Sequence, residues 1–227
     1  MNAPALVVMD LAGTTVKDDG VVEDAFAVAY AETTVMHGYG DVEAVRAYAR
    51  ETMGQSKIDV FRVLAGDGAE EANAAFERAY DRLIAEGACT AIPGAEDTIR
   101  VLKDAGIPVV LTTGFSEPTK NALLDSLGWQ ELPTLSLSPA HPVRGRPAPD
   151  LNLVAVIRTA TRAVADIAVV GDTVSDMQAG VRAGAGRVVG VLTGAHDEAA
   201  LREAGATDVI ASVAGLPELL GLSPASR

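Results

Sequence analysis

The chain has 227 residues, 48 % hydrophobic and 22 % charged, which suits one large core or a core with a small insert and argues against intrinsic disorder. Acidic residues outnumber basic ones 31 to 18, and a net charge of −13 excludes partners such as nucleic acid or an anionic membrane surface. One cysteine, Cys89, excludes an internal disulfide and a multi-cysteine zinc site.

The run from Ala5 to Met9 reads as a buried strand that stops at Asp10 and a Gly-Thr-Thr turn. No cationic stretch precedes it and no apolar run nears the ~18 residues of a membrane span, so the expectation is a soluble cytoplasmic protein. From about Val21 to Glu86 the apolar spacing is three and four: Ala25, Val28, Ala29 and Tyr30, then Val42, Val45, Tyr48 and Ala49. Ile58, Phe61, Val63 and Leu64 continue it, followed by Ala72, Ala75, Phe76, Ala79 and Leu83. This segment predicts helices and no strand.

After Ile92-Pro93-Gly94 the character alternates. Helices are predicted over 95–105, 117–127, 150–163, 175–183, 198–204 and 216–220, and strands over 107–112, 135–137, 167–170, 188–192 and 208–210. A proline-rich loop covers 139–149, and the tail 223–227 is expected to fray. The alternation predicts an α/β fold, a doubly wound parallel sheet with helices on both faces. Its first strand precedes the helical segment and the others follow it. The expected organisation is a Rossmann-like catalytic core, 1–17 and 91–227, interrupted by an all-helical cap, 18–90.

Ligands of such sheets bind beyond the carboxyl ends of the strands. The polar residues expected there are Asp10, Thr112, Thr113, Asp172 and Asp176, with Arg146 on a loop able to close over them. Hard carboxylate oxygens suit Mg²⁺, and hydroxyls with a guanidinium suit a phosphoryl group. A single Asp after a strand is more often a cap or turn residue, and a single loop Arg is more often a solvated charge. The ordered set carries the inference.

That set is Asp10-Leu-Ala-Gly-Thr-Thr, Thr113-Gly114, Gly145-Arg146-Pro147-Ala148-Pro149 and Gly171-Asp172-Thr173-Val174-Ser175-Asp176. It resembles the haloacid dehalogenase-like hydrolase superfamily, in the right order over positions 10 to 176, and the helical segment sits where that superfamily inserts a cap. The resemblance implies Asp10 as nucleophile, Thr113 on a phosphoryl oxygen and Arg146 against developing charge. It implies Mg²⁺ on Asp10, Asp172 and the carbonyl of Ala12, with Asp176 a ligand or one step behind the ligands. Most phosphatases of the superfamily carry a second Asp two residues after the nucleophile, as acid and base for the leaving oxygen. Here that residue is Ala12, which can do neither.

A narrower resemblance accounts for it. Met53-Gly54-Gln55-Ser56-Lys57-Ile58-Asp59 is similar to the cap segment of the phosphonatase (phosphonoacetaldehyde hydrolase) family, whose lysine forms a Schiff base with the substrate aldehyde. The iminium draws electrons from the C–P bond, so no acid is needed on oxygen, and Ala12 and Lys57 explain each other. The same resemblance implies substrate contacts from Ala12, Met53, Gly114 and Phe115, a small phosphonate or phosphate substrate, and a homodimer through the cap. Most lysines are surface residues, but only four of the 18 basic residues are lysine, and arginine forms no Schiff base. An ordinary lysine near 10.4 is neutral in about one molecule in a thousand at neutral pH, so burial or a nearby cation must help. Val60, Phe115 and Val21 replace a His, a Tyr and a Cys of the phosphonatase pattern, which leaves the exact substrate open. A phosphomonoesterase and a non-catalytic phospho-ligand binder are the alternatives. His37, His141 and His196 are scattered and read as structural or solvated, and Trp129 and Cys89 as packing.

Overall fold

Leu6–Asp10 form β1, and all five residues are buried. Successive strand side chains point to opposite faces, so a strand apolar throughout needs cover on both. The computed structural model, which describes residues 3–222, supplies it. Val7 and Met9 pack with Ile99 and Leu102 of α5 (Ala95–Asp104) and Leu123 of α6 (Glu117–Leu127). Leu6 and Val8 pack with Leu151 and Ala155 of α7 (Asp150–Arg158). The other strands are β2 (Val109–Thr112), β3 (Leu135–Leu137), β4 (Ile167–Gly171), β5 (Arg187–Val191) and β6 (Asp208–Ile210). All pairings are parallel, in the order β3-β2-β1-β4-β5-β6, so the doubly wound sheet is as expected. The remaining core helices are α8 (Val174–Ala183), α9 (Glu198–Glu203) and α10 (Leu216–Leu219).

Between β1 and β2 in the chain lie α1 (Val21–Glu32), α2 (Val42–Glu51), α3 (Lys57–Ala65) and α4 (Ala69–Ala85). The segments leading into and out of this helical region run side by side. Lys17 N–H donates to Thr90 O at 2.8 Å and Ile92 N–H to Thr15 O at 2.9 Å. No helix among the described residues is long and apolar enough to cross a membrane.

Three local expectations are corrected. Val63 is 55 % exposed. The buried face of α3 is Lys57, Val60, Phe61 and Leu64, at offsets of three, four and seven, and Val63 falls off it. The strand expected from 107 pairs only from Val109, because Pro108 has no N–H to give. The helix expected over 150–163 ends at Arg158. Thr161 N–H donates to Val156 O and Ala160 N–H to Ile157 O, a Schellman stop with Ala160 left-handed at φ 53° where glycine usually sits. The tail 223–227 lies outside the described residues.

Candidate active site

The winding of the sheet reverses between β1 and β4, and the crevice at that point collects the ends of three strands. Asp10 ends β1, Asp172 follows β4, and Thr113 follows β2 on the other side. One carboxyl oxygen from each of Asp10, Asp172 and Asp176 lies within 4.8 Å of the other two, and all three residues are buried. Arg146 reaches them from the loop before α7. Its Nη1 is 2.5 Å from Asp10 Oδ1 and also pairs with Asp176 Oδ1. Its Nε is buried without a hydrogen-bond partner.

Each carboxylate is held differently. Asp172 accepts from Thr14 Oγ1 and from Ala195 N–H, both at 2.9 Å. Asp176 accepts from Thr173 N–H at 3.1 Å and Thr173 Oγ1 at 2.5 Å, closing a capping box on α8. The start of that helix therefore aims Asp176 at Arg146. Gly13 leaves room for Asp172: at φ +85° a Cβ there would be strained, and it would lie 2.6 Å from the Asp172 Cγ.

Burial dominates the electrostatics. It raises Asp10 well above its ordinary range, Arg146 opposing and Asp176 and Asp172 adding to the rise. Burial and Asp176 push Asp172 up to about 7, against hydrogen bonds from Ala195 and Thr14. Arg146 is also buried, which disfavours its charge, but Asp10 and Asp176 more than restore it and hold the guanidinium protonated. Three buried carboxyl groups beside one guanidinium form a hard oxygen set, and a small divalent cation such as Mg²⁺, which would favour their ionised forms, fits it.

The helical region touches this site through its backbone. Lys57 N–H donates to Gly114 O at 3.0 Å. A Cβ on Gly114 would lie 2.8 Å from the Gln55 carbonyl carbon, and one on Gly145 2.5 Å from the Ser56 Cβ. Lys57 begins α3 yet is only 5 % exposed. Its Nζ is 5.9 Å from the Phe26 ring centre and 5.6 Å from that of Phe115. Burial pushes its pKa down to about 8, with Asp18 opposing, Arg146 lowering it further, and Asp10 and Asp172 raising it.

The other expected residues are distributed as follows. Thr113 is buried, and its Oγ1 accepts from Phe115 N–H at 3.2 Å. Ala12 is half-buried in the turn after β1. Met53 lines a cavity of about 350 Å³ with Asp18, Arg50, Asp172 and Gly194, so the cavity reaches from the helical region to Asp172. Val21 and Val60 are buried in the same apolar cluster as Phe26 and Phe115.

Four features were not anticipated. Thr14 and the loop after β5 hold Asp172, and Thr193 Oγ1 in that loop donates to Gly13 O at 2.7 Å. Asp18 is the carboxylate acting most strongly on Lys57, and Phe26 covers it. The β5 loop also begins at a strand's carboxyl end, which is the signal that should have found it. His196 is there for structure: its N–H donates to Asp172 O at 3.3 Å and its Nδ1 accepts from Val174 N–H at 3.4 Å.

These strand-end carboxylates, the buried arginine and the inserted helices have a family. The model of the haloacid dehalogenase-like hydrolases matches residues 4–184, and the chain belongs to that family. Within it, the phosphonoacetaldehyde hydrolase of Parabacteroides distasonis is 30 % identical over 215 residues, 84 % of this chain and 77 % of that protein. The bifunctional riboflavin kinase/FMN phosphatase of Arabidopsis thaliana is 28 % identical over 188 residues, 78 % of this chain but 46 % of that longer one. The crystal structure of a phosphonoacetaldehyde hydrolase-like protein from Oleispira antarctica superposes with a TM-score of 0.81 at 24 % identity, over 97 % of this chain and 94 % of that one, which shows a shared fold.

Proposed function

We propose that the protein is a Mg²⁺-dependent, phosphonatase-like hydrolase that cleaves the P–C bond of a small phosphonate aldehyde or related carbonyl compound. The observation that carries this is a buried Lys57 amine, pushed down to about 8, in a chain whose acid position after Asp10 is Ala12. Asp10, Asp172 and the carbonyl of Ala12 would hold the cation. When bound, it would offset the charge of the carboxylates and the phosphoryl oxygens.

The chain's own groups do the rest. The neutral amine of Lys57 adds to the substrate carbonyl and, with uptake of one proton from solvent and loss of water, becomes an iminium. Asp10 attacks phosphorus, the P–C bond breaks, and its electron pair runs into the iminium to leave an enamine on Lys57. Arg146 holds the phosphoryl oxygens, its unpartnered Nε being one donor for them, and Thr113 supplies a hydroxyl. Water then releases phosphate from Asp10. Protonation and hydrolysis of the enamine free the aldehyde and Lys57. In this reading residues 18–90 act as the cap, opening near 17–20 and 88–94, and the protein works in the cytoplasm as a homodimer through the cap.

Trapping tests it. Borohydride added with phosphonoacetaldehyde, or with a homologous 2-oxoalkylphosphonate, should fix the substrate carbon on Lys57 and be read by peptide mass. No adduct across a panel of such compounds would sink the Schiff base. A phosphomonoesterase is the second reading, favoured by the match to an FMN phosphatase. There Lys57 would serve as a cation only, and Lys57→Arg would keep turnover.

A further inference from the structure

The chain has four phenylalanines, all four form one connected group, and the Lys57 amine lies against two of them. Phe26 lies 4.8 Å from Phe61 and 4.9 Å from Phe76, ring centre to ring centre. Phe115 lies 4.5 Å from Tyr80 and 6.3 Å from Phe76. Lys57 Nζ sits against two of these rings, 5.9 Å from Phe26 and 5.6 Å from Phe115, within the reach of a cation–π contact. Among the described residues the Nζ makes no hydrogen bond to compete with these faces. Phe26, Phe61, Phe76 and Tyr80 belong to α1, α3 and α4, the inserted helices. Phe115 alone comes from the sheet-bearing part of the chain, just after β2.

We propose that Phe26 and Phe115 form a two-faced aromatic clamp that positions the nitrogen of Lys57 in its cationic forms, and that Phe115 completes the clamp only when the helices are closed over the sheet. This deepens the proposed role of Lys57 and rests on it, although its test does not require turnover. The rings act in two opposed ways. As hydrocarbon they exclude water and disfavour charge on the amine. As π faces they attract a cation, first the ammonium and then the iminium that draws the P–C electrons. The other charged groups acting on the amine come from four places: Asp18 before α1, Arg146 before α7, Asp10 on β1 and Asp172 after β4. None of them belongs to a clamp side chain, so replacing a ring by an alkyl group of similar bulk changes the π face and leaves the charges in place.

The sign of the effect separates a clamp from mere burial. Leucine at 115 keeps the site dry but removes the face, so the Lys57 midpoint should fall and its neutral fraction at fixed pH should rise about three- to tenfold. Tyrosine keeps a face and should keep the midpoint. Competitive labelling of the whole protein with trace acetic anhydride, followed by peptide mass spectrometry across pH, reads this for Lys57, with exposed Lys17 and Lys103 as internal references. Phe26→Leu is the second variant, should Phe115→Leu fold poorly. A fall with leucine and none with tyrosine supports the clamp. A midpoint that stays or rises with leucine, or falls equally with tyrosine, overturns it. Failure of every phosphonate to release phosphate would instead defeat the proposed reaction and leave the labelling result standing.

Discussion

Gly114→Ala tests whether backbone contact between the helices and the sheet is needed for activity. Gly114 has no left-handed φ, so alanine fits its own backbone, and the obstacle is across the interface. The new Cβ would lie 2.8 Å from the Gln55 carbonyl carbon and nearer still to its oxygen, where ordinary contact starts at 3.4 Å. The neighbour is main chain and cannot rotate away, so the helices must back off by roughly 1 Å, taking Lys57 with them. The 3.0 Å hydrogen bond from Lys57 N–H to Gly114 O stretches or breaks, a net cost of about 0.5–1.5 kcal/mol. A misplacement of about 1 Å at reacting groups costs up to about 10²-fold in rate. We therefore expect kcat/KM for phosphate release to fall roughly 30- to 100-fold, with the thermal midpoint lowered by only a few degrees. Phosphate release would be followed in a coupled assay and unfolding by circular dichroism. A folded Gly114→Ala protein within twofold of the parent would refute the premise that this contact sets the distance between Lys57 and Asp10.

Three further outcomes are expected. Asp10→Asn should lower phosphate release by about 10⁴-fold or more, since nothing else in the site replaces a nucleophile, and retention of a tenth of the rate would remove Asp10 from that role. If the neutral amine of Lys57 is required, kcat/KM should climb up to about tenfold per pH unit below the Lys57 midpoint of about 8 and flatten above it, whereas a rate falling over that range would contradict a nucleophilic lysine. Burial holds Asp172 protonated up to about 7, so the folded chain binds more protons than the unfolded one between about 4 and about 7. Its contribution to stability is lost as pH rises through about 7. Mg²⁺ can take the proton's place, so the thermal midpoint should rise more on adding Mg²⁺ at pH 8 than at pH 5, and equal rises would argue against these carboxylates as the metal site.

Local pattern makes some of this architecture legible and leaves other parts hidden. β1 reads as a buried strand because every residue is apolar up to Asp10, and the alternation after Gly94 reads as a parallel sheet because short β-rich runs are separated by helices. Asp10, Arg146, Asp172 and Asp176 are readable as a set because Asp10 and Asp172 sit at strand ends, Asp176 follows four residues on, and Arg146 follows a motif glycine. The structure brings them to one point through Arg146, which bonds both Asp10 and Asp176. What pattern misses is contact between distant segments. Ala195 donates to Asp172 across 23 residues, and Thr14 does so across 158. The end of α7 was misplaced because alanine, not glycine, takes the left-handed stop. Phe26 escaped notice because spacing alone ranks Val28 and Tyr30 with it, and only packing shows which residue meets Lys57.

The composition can now be read differently. A chain with 4 % aromatic residues must fill its core with small aliphatics, and on the α7 face of the sheet it does: Leu6, Val8, Val110, Ile167 and Val169 pack there without one phenylalanine. That face of the sheet therefore needs no aromatic bulk. If the phenylalanines served volume alone, they would be expected in both layers. Instead Phe26, Phe61, Phe76 and Phe115 form one connected group where the inserted helices meet the strand end after β2, with a lysine amine against two of them. Isolating an amine from water while offering it a π face requires flat, apolar side chains on more than one side. Aliphatic side chains supply the dryness alone.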